Sequence, residues 1–219
     1  MRIARKGWYL EAATDSASGN AKDPAARDRW LRELGFPPEN LITCKQVHGD
    51  RIAVIEDNAR ALYEGFDGLV TEKKHLVLGI YSADCAPVLI ADEDKKVLGA
   101  FHCGWRGVAG GIVPKGIALL RERWKSDPAH LRVSFGAHIK DCCYEVGDDV
   151  ARVFPAAVRS VKGRTYLSLE KAVAQQAAGA GVPPENIAAA QDCTHCGSRH
   201  FSWRRDKTEH RMISMVVKL

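Results

Sequence analysis

Residues 76–107 read LVLGIYSADCAPVLIADEDKKVLGAFHCGWRG, and the fold turns on how this stretch is divided. Residues 76–81, 87–91 and 97–102 are three short, almost wholly apolar runs. Runs of this length, rich in Val, Ile and Leu and bounded by turn residues, read as strands covered on both faces. Asp92-Glu93-Asp94-Lys95 separates the last two and reads as the turn of a hairpin. The run that precedes Cys85 and the run that ends at His102 read as neighbouring strands. After Gly104-Trp105-Arg106-Gly107 the pattern becomes helical from 108 to 124.

Working outward, Asp23-Pro24 opens a helix, with Asp as N-cap and Pro at the first helical position. It runs through Trp30, Leu31 and Leu34 and stops at Gly35. Residues 41–47 and 51–56 read as strands around a Gly49-Asp50 turn, and 68–71 as another. Downstream, 131–137 reads as a strand, 148–154 as a helix stopped by Pro155, 169–180 as a helix stopped by Gly181, and 211–219 as a closing strand. Strands and helices mix without regular βαβ alternation, which predicts an α+β fold with mixed sheets. A chain of 219 residues without repeats, low-complexity tracts or linkers is expected to form a single domain over 1–219.

The net charge is +5, which suits an anionic small molecule such as phosphate. There is no dense Lys/Arg stripe of the kind nucleic acid demands. The most basic stretch, Ser202-Trp203-Arg204-Arg205-Asp206-Lys207, reads as a solvated surface turn. No apolar run approaches the ~18 residues of a membrane span. The basic start is followed too soon by Glu11 and Asp15 to form a signal peptide, so a cytoplasmic location is expected. Seven cysteines is an odd number, better suited to thiols or metal ligands than to a disulfide framework.

Chemistry-bearing residues fall at strand ends. His48, Cys85 and His102 offer two imidazoles and one thiolate, a set suited to zinc with one position left open for water or substrate. Cu(II) binds such ligands still more tightly. The plain alternative is a turn histidine, a small core cysteine and a hydrogen-bonded histidine. Asp84, beside Cys85, could orient a ligand or carry protons. Arg106 and the N–H groups of the glycine-rich helix entry could hold an anion. Cys142 and Cys143 are adjacent, and in an extended chain would point to opposite sides, so that at most one faces a given site. Cys193-Thr194-His195-Cys196 is a C-x-x-C that needs two more ligands for a structural zinc, from His200 or the Cys142/Cys143 pair.

Six motifs carry a resemblance to a known family: K-Q-V-H-G-D-R at 45–51, F-D-G-L-V-T at 66–71, S-A-D-C-A-P-V-L at 82–89, H-C-G-W-R-G at 102–107, C-C-Y-E-V-G at 142–147 and F-S-W-R-R-D at 201–206. In this order, over residues 41–219, the chain resembles the laccase-domain (YfiH-like) proteins. These were first called multicopper polyphenol oxidases and are now regarded as purine nucleoside phosphorylases that also deaminate adenosine and cleave methylthioadenosine. The resemblance implies a four-layer α/β/β/α sandwich. It implies that His48, Cys85 and His102 hold zinc, and that Arg106, Cys143, Tyr144 and Arg205 lie in or near a pocket for a purine nucleoside and phosphate.

The chain departs from the family in two places. An S-T-R-x-G-G-x-S loop is replaced by Glu11-Ala12-Ala13-Thr14-Asp15-Ser16, which removes a piece of expected pocket wall or lid. A G-P-x-I-G-P segment is replaced by Gly136-Ala137-His138-Ile139-Lys140-Asp141, which introduces His138 as an extra ligand or base, or as a plain substitution. Two rival chemistries remain in view. Copper-dependent phenol oxidation needs several coppers, whereas the eight histidines here form no H-x-H pair. A Cys/His hydrolase or deamidase would use Cys85 as a nucleophile activated by His102 or His48, and metal content separates it from a metalloenzyme. The sequence does not fix the oligomeric state.

Overall fold

The structure is a computed structural model that describes residues 2–57 and 59–219. The first half of the chain contributes β1 (Arg2–Lys6), β2 (Tyr9–Ala13), α1 (Pro24–Glu33), β3 (Leu41–Lys45), β4 (Ile52–Val54), β5 (Leu62–Glu64), β6 (Gly68–Thr71), β7 (Val77–Ser82), β8 (Ala86–Asp92) and β9 (Leu98–Cys103). The second half contributes α2 (Trp105–Ala109), α3 (Ile112–Trp124), β10 (Leu131–Phe135), β11 (Glu145–Val146), α4 (Asp148–Ala151), β12 (Val158–Val161), β13 (Arg164–Leu167), α5 (Leu169–Gly179), β14 (Ile187–Ala188), α6 (Trp203–Asp206) and β15 (Met212–Lys218).

Two mixed sheets carry the fold. One has the order β1-β2-β15-β7-β3-β5, the other β14-β10-β8-β9-β6-β4, and a small sheet β11-β13-β12 stands apart. Side-chain alternation along the central strands shows how they stack. Leu78, Ile80 and Val216 of the first sheet meet Leu89, Ala91, Leu98 and Ala100 of the second in one core. The opposite face of the first sheet sets Val77, Met215 and Val217 against Trp30 and Leu31 of α1. The opposite face of the second sets Val88, Ile90 and Phe101 against Ile117 and Leu120 of α3 and Val173 of α5. The result is the α/β/β/α sandwich expected from the resemblance. It also explains why these strands are continuously apolar, since both faces of each sheet are covered.

Several local readings hold. The Asp23 side chain caps α1 by accepting from the Ala25 N–H at 3.0 Å, with Pro24 next in line. The hairpin of β8 and β9 pairs Pro87 with His102.

Other readings are corrected. Residues 41–47 and 51–56 do not flank a hairpin turn, because β3 belongs to the first sheet and β4 to the second. The N–H groups of Val47, His48 and Gly49 bond the Asp67 carboxylate instead of a paired strand. Likewise β7 and β9 are not neighbours in one sheet but lie in facing sheets. The helix expected over 108–124 begins earlier, at Trp105, and is broken by Gly110-Gly111, with Gly111 at φ +78°. The helix before Pro155 is a single turn, and β1, β2 and the small sheet have no clear apolar period to announce them.

Phe101 fixes the distance between α3 and the second sheet. Its ring is fully buried, and a Cβ on Gly99 or Gly116 would come within 2.6 or 2.7 Å of it. Both glycines are thus required by close approach. Among the described residues no helix is long and apolar enough to cross a membrane. Phe101→Ala is expected to destabilise the fold by about 3–5 kcal/mol through lost transfer energy plus a cavity, measured by denaturant unfolding.

Candidate metal centre

Two of the chain's crossovers between the large sheets carry the site. The first follows β3 and carries His48; the second, Ala83-Asp84-Cys85, joins β7 to β8. His102 lies on β9 next to that second crossover. The structure brings the three together: the ligand atoms of His48, Cys85 and His102 lie within 4.8 Å of one another. His102 is buried, Cys85 half-buried and His48 exposed, so the cluster opens to solvent on the His48 side.

Asp67, absent from the sequence-based candidates, organises this cluster. Its fully buried carboxylate accepts the backbone N–H groups of Val47 (3.1 Å), His48 (3.0 Å) and Gly49 (2.8 Å). It also accepts the Nδ1–H of His102 at 2.8 Å. That bond fixes the tautomer and leaves Nε2 of His102 for a metal, the usual arrangement of a carboxylate behind a metal-bound imidazole. His48 itself adopts a left-handed backbone, φ +61°. Gln46 ties the same crossover to the end of β7, with Nε2 donating to the Tyr81 carbonyl (2.8 Å) and Oε1 accepting the Tyr81 N–H (3.0 Å). Two glycines let the parts approach. A Cβ on Gly104 would stand 3.1 Å from both Cys85 Sγ and His48 Cδ2, and one on Gly107 would stand 2.7 Å from the Gly49 carbonyl. The F-D-G motif and the glycines of H-C-G-W-R-G are thus read as packing constraints around the ligands.

The electrostatics match a ligand set. Burial would push the Cys85 thiol up, but the adjacent His102 and His48 rings outweigh it and bring it from about 9 down to about 6. Burial would push His102 down, but the Cys85 thiolate and Asp67 outweigh it and raise it to about 9. Asp67 is desolvated too, and the His102, Gly49 and Val47 bonds still hold it below the usual carboxylate range.

Around this cluster the remaining candidates separate. Asp84 holds a left-handed backbone at φ +96°, and both its carboxylate oxygens are engaged, by the Thr194 hydroxyl (2.6 Å) and the Arg204 N–H (2.7 Å). Tyr144 lies beneath the Arg204 guanidinium, 5.3 Å from ring centroid to carbon. Burial and the nearby Cys85 thiolate push its hydroxyl up to about 12, so at neutral pH it is a hydrogen-bond donor. Arg106 is exposed on α2 and stacks on Trp105 at 4.3 Å. Arg205 spends its guanidinium on the carbonyls of Thr194 (2.8 Å), His195 (3.3 Å), Gly197 and His200 (2.9 Å) and on Asp206, fastening the loop it belongs to. Its neighbour Arg204, not singled out by the sequence reading, is the one that faces Tyr144.

Cys143 belongs to a different group from the three-ligand cluster, its Sγ 3.4 Å from that of Cys196. Cys142 also points at Cys196, at 3.4 Å. The expectation that the adjacent pair diverges is therefore wrong, because residues 141–143 form a turn rather than an extended chain: the Lys140 carbonyl accepts the N–H groups of both Cys143 and Tyr144. His138 is fully buried, with Nδ1 3.0 Å from the Gly136 carbonyl, and joins neither cluster.

Two outcomes follow from this geometry. Asp67→Asn should weaken metal binding by about 10–100-fold, measured by competition with a chromophoric chelator. The metal-free protein should show a pH window. Cys85 is lowered on folding, so its stabilisation is present above about 9 and is lost as pH falls through about 6. His102 is raised, so its stabilisation is present below about 6.5 and is lost as pH rises through about 9. The thiolate–imidazolium pair is therefore whole between about 6 and about 9. Relative to Cys85→Ser, the thermal midpoint of the metal-free protein should fall off on both sides of that window.

Comparison with known proteins bears on the family and the fold. A family described as multi-copper polyphenol oxidoreductase laccase matches residues 11–218. A purine nucleoside phosphorylase of Clostridium acetobutylicum is 35% identical, covering 96% of this chain and 91% of its own. An adenosine deaminase from an unknown prokaryotic organism is 32% identical, covering 82% of this chain and 75% of its own. The crystal structure of YlmD from Geobacillus stearothermophilus superposes with a TM-score of 0.90 at 28% identity, over 97% of this chain and 92% of that one. With the family matched across nearly its whole length, this chain belongs to the multi-copper polyphenol oxidoreductase laccase family.

Proposed function

We propose that the protein is a zinc-dependent purine nucleoside phosphorylase acting on adenosine, inosine or methylthioadenosine in the cytoplasm, with adenosine deamination as a side activity. The observation that carries this reading is a half-open cluster of two imidazoles and one thiolate, with Tyr144, Arg204 and Arg106 close enough to share one electrostatic environment. Relatives named as purine nucleoside phosphorylases and as an adenosine deaminase support the substrate class. His48, Cys85 and His102 would hold the metal, and the donor set fits zinc with an open position. When bound, zinc supplies Lewis-acid polarisation of a substrate oxygen or nitrogen.

The chain's own residues do the rest. Arg106 and Arg204 bind phosphate beside the cluster, and Tyr144 donates a hydrogen bond from its protonated hydroxyl. A phosphate oxygen forms a bond to the anomeric carbon as the glycosidic C–N bond breaks; the purine leaves with that electron pair and takes up a proton. Positioning and charge stabilisation carry the step. Deamination at the same place adds water to C6 of adenine and releases ammonia. Asp84 acts by holding the turn that presents Cys85, since both its oxygens are already bonded. Arg205 and Cys143 act from behind the pocket, through the loop they fasten.

One observation favours a second reading. Cys85, His102 and Asp67 form a chain of the kind a cysteine hydrolase uses, with the thiol held at about 6. Two imidazoles beside one sulfur favour metal ligation, because a nucleophile needs only one base. Multicopper oxidation fits less well: among the described residues, His, Cys, Asp and Glu gather into two groups of three or more that could hold a metal, and only one of them contains histidine.

Zinc-loaded protein should convert adenosine to adenine and ribose 1-phosphate only when phosphate is present, and Cys85→Ala should lose metal and activity together. Hydrolysis by metal-free protein would favour the thiol nucleophile instead. Arg106→Ala and Arg204→Ala should each raise the KM for phosphate by about 10–100-fold, the worth of one charged hydrogen bond.

A further inference from the structure

Two cysteine pairs far apart in the chain, Cys142 with Cys143 and Cys193 with Cys196, converge on one point. The ligand sulfurs of Cys142, Cys143, Cys193 and Cys196 lie within 4.8 Å of one another, with Cys142 and Cys143 each 3.4 Å from Cys196. Four sulfurs held about 2.3 Å from a central zinc stand about 3.8 Å apart, so this spacing is close to that of a closed tetrahedral site. It is far from the ~2.05 Å of a disulfide.

The backbone is arranged for thiolates. The Lys140 N–H points at Cys193 Sγ from 3.4 Å, and the N–H groups of His195 and Cys196 point at the same sulfur. A C-x-x-C whose second half donates N–H groups back to its first sulfur gathers fixed positive dipoles around a negative ligand. Four thiolates this close repel one another unless a cation lies among them. All four ligands are sulfur and no position is left over, so this set calls for a soft, tetrahedral ion and a structural role.

We propose that Cys142, Cys143, Cys193 and Cys196 bind a second, structural zinc ion, separate from the three-ligand cluster. Its place in the fold gives it a purpose. It joins the 141–143 turn, which leads into Tyr144, to the loop that begins at Cys193. That loop returns Thr194 and Arg204 to the two oxygens of Asp84, the residue before Cys85. The ion would brace the wall that carries Tyr144 and Arg204 and clamp the turn that presents Cys85, while touching no reacting atom. The proposal stands whatever reaction the first cluster performs.

The test uses full-length Cys85→Ala protein, purified anaerobically without added metal, so that the first cluster cannot contribute. One zinc per chain is expected to remain. Replacement by cobalt should give the intense near-ultraviolet sulfur-to-metal bands and the visible spectrum of a tetrahedral four-thiolate site. Cys196→Ser in the same background should lose that zinc. Wild-type protein should hold two zinc ions per chain, and its zinc X-ray absorption should show a sulfur-majority shell, a readout that requires no variant to fold. The proposal is overturned if anaerobic Cys85→Ala protein is metal-free with all four thiols open to a thiol reagent. It is equally overturned by a disulfide among the four, by iron in place of zinc, or by a wild-type shell dominated by nitrogen and oxygen.

Discussion

One buried carboxylate holds the working end of this molecule together. Asp67 stands at the entrance to β6 in one sheet, and its oxygens collect three consecutive N–H groups from a crossover that began in the other sheet. The same carboxylate orients His102. A fully buried charge of this kind is costly unless its lone pairs are bonded, and here they are. The ion thereby fixes the backbone of His48 and the ring of His102 in one stroke. Cys85 then needs only the short β7–β8 crossover to reach them. The left-handed backbones of His48 and Asp84 are local strain that these bonds over-determine, as is common where side chains must be aimed.

The wall opposite is built differently. It comes from the Cys142–Tyr144 turn and the loop from Cys193 to α6, of which Tyr144 packs against a hydrophobic core cluster. Arg205 donates to several carbonyls of its own loop, and Thr194 and Arg204 fasten that loop to Asp84. A lysine at position 205 could not reproduce this, because the bonds use the breadth of a planar guanidinium. The N-terminal departure at residues 11–16 ends against the same loop: the Ser16 N–H bonds the Arg199 carbonyl at 2.9 Å and its hydroxyl the Ser198 carbonyl at 2.8 Å.

Much of this was legible in the sequence, for identifiable reasons. The apolar runs of β6 to β9 and β15 are strong signals because both faces of each sheet are buried, and the capped, proline-started α1 has its own chemistry. The candidate metal ligands His48, Cys85 and His102 stand out as soft or borderline donors near strand ends. What could not be read was which sheet each strand joins. A Gly49-Asp50 turn looks the same whether it closes a hairpin or passes between sheets, and only Asp67, eighteen residues beyond Gly49, decides. Arg204 and Arg205 are likewise indistinguishable as neighbours in a motif, since the turn of α6 sends them to different tasks. The adjacent cysteines Cys142 and Cys143 share one side because the Lys140 carbonyl closes a turn there, which their spacing does not announce.

The central claim is that His48, Cys85 and His102 share one ion beside a wall formed by Tyr144 and Arg204. Anomalous diffraction at the zinc edge, from crystals grown with a purine nucleoside, tests it most directly. A peak is expected bonded to Nε2 of His102, Sγ of Cys85 and a ring nitrogen of His48, with nucleoside density between it and Tyr144. Crystals grown in zinc with no peak among those three side chains, or with the nucleoside bound elsewhere, would contradict it.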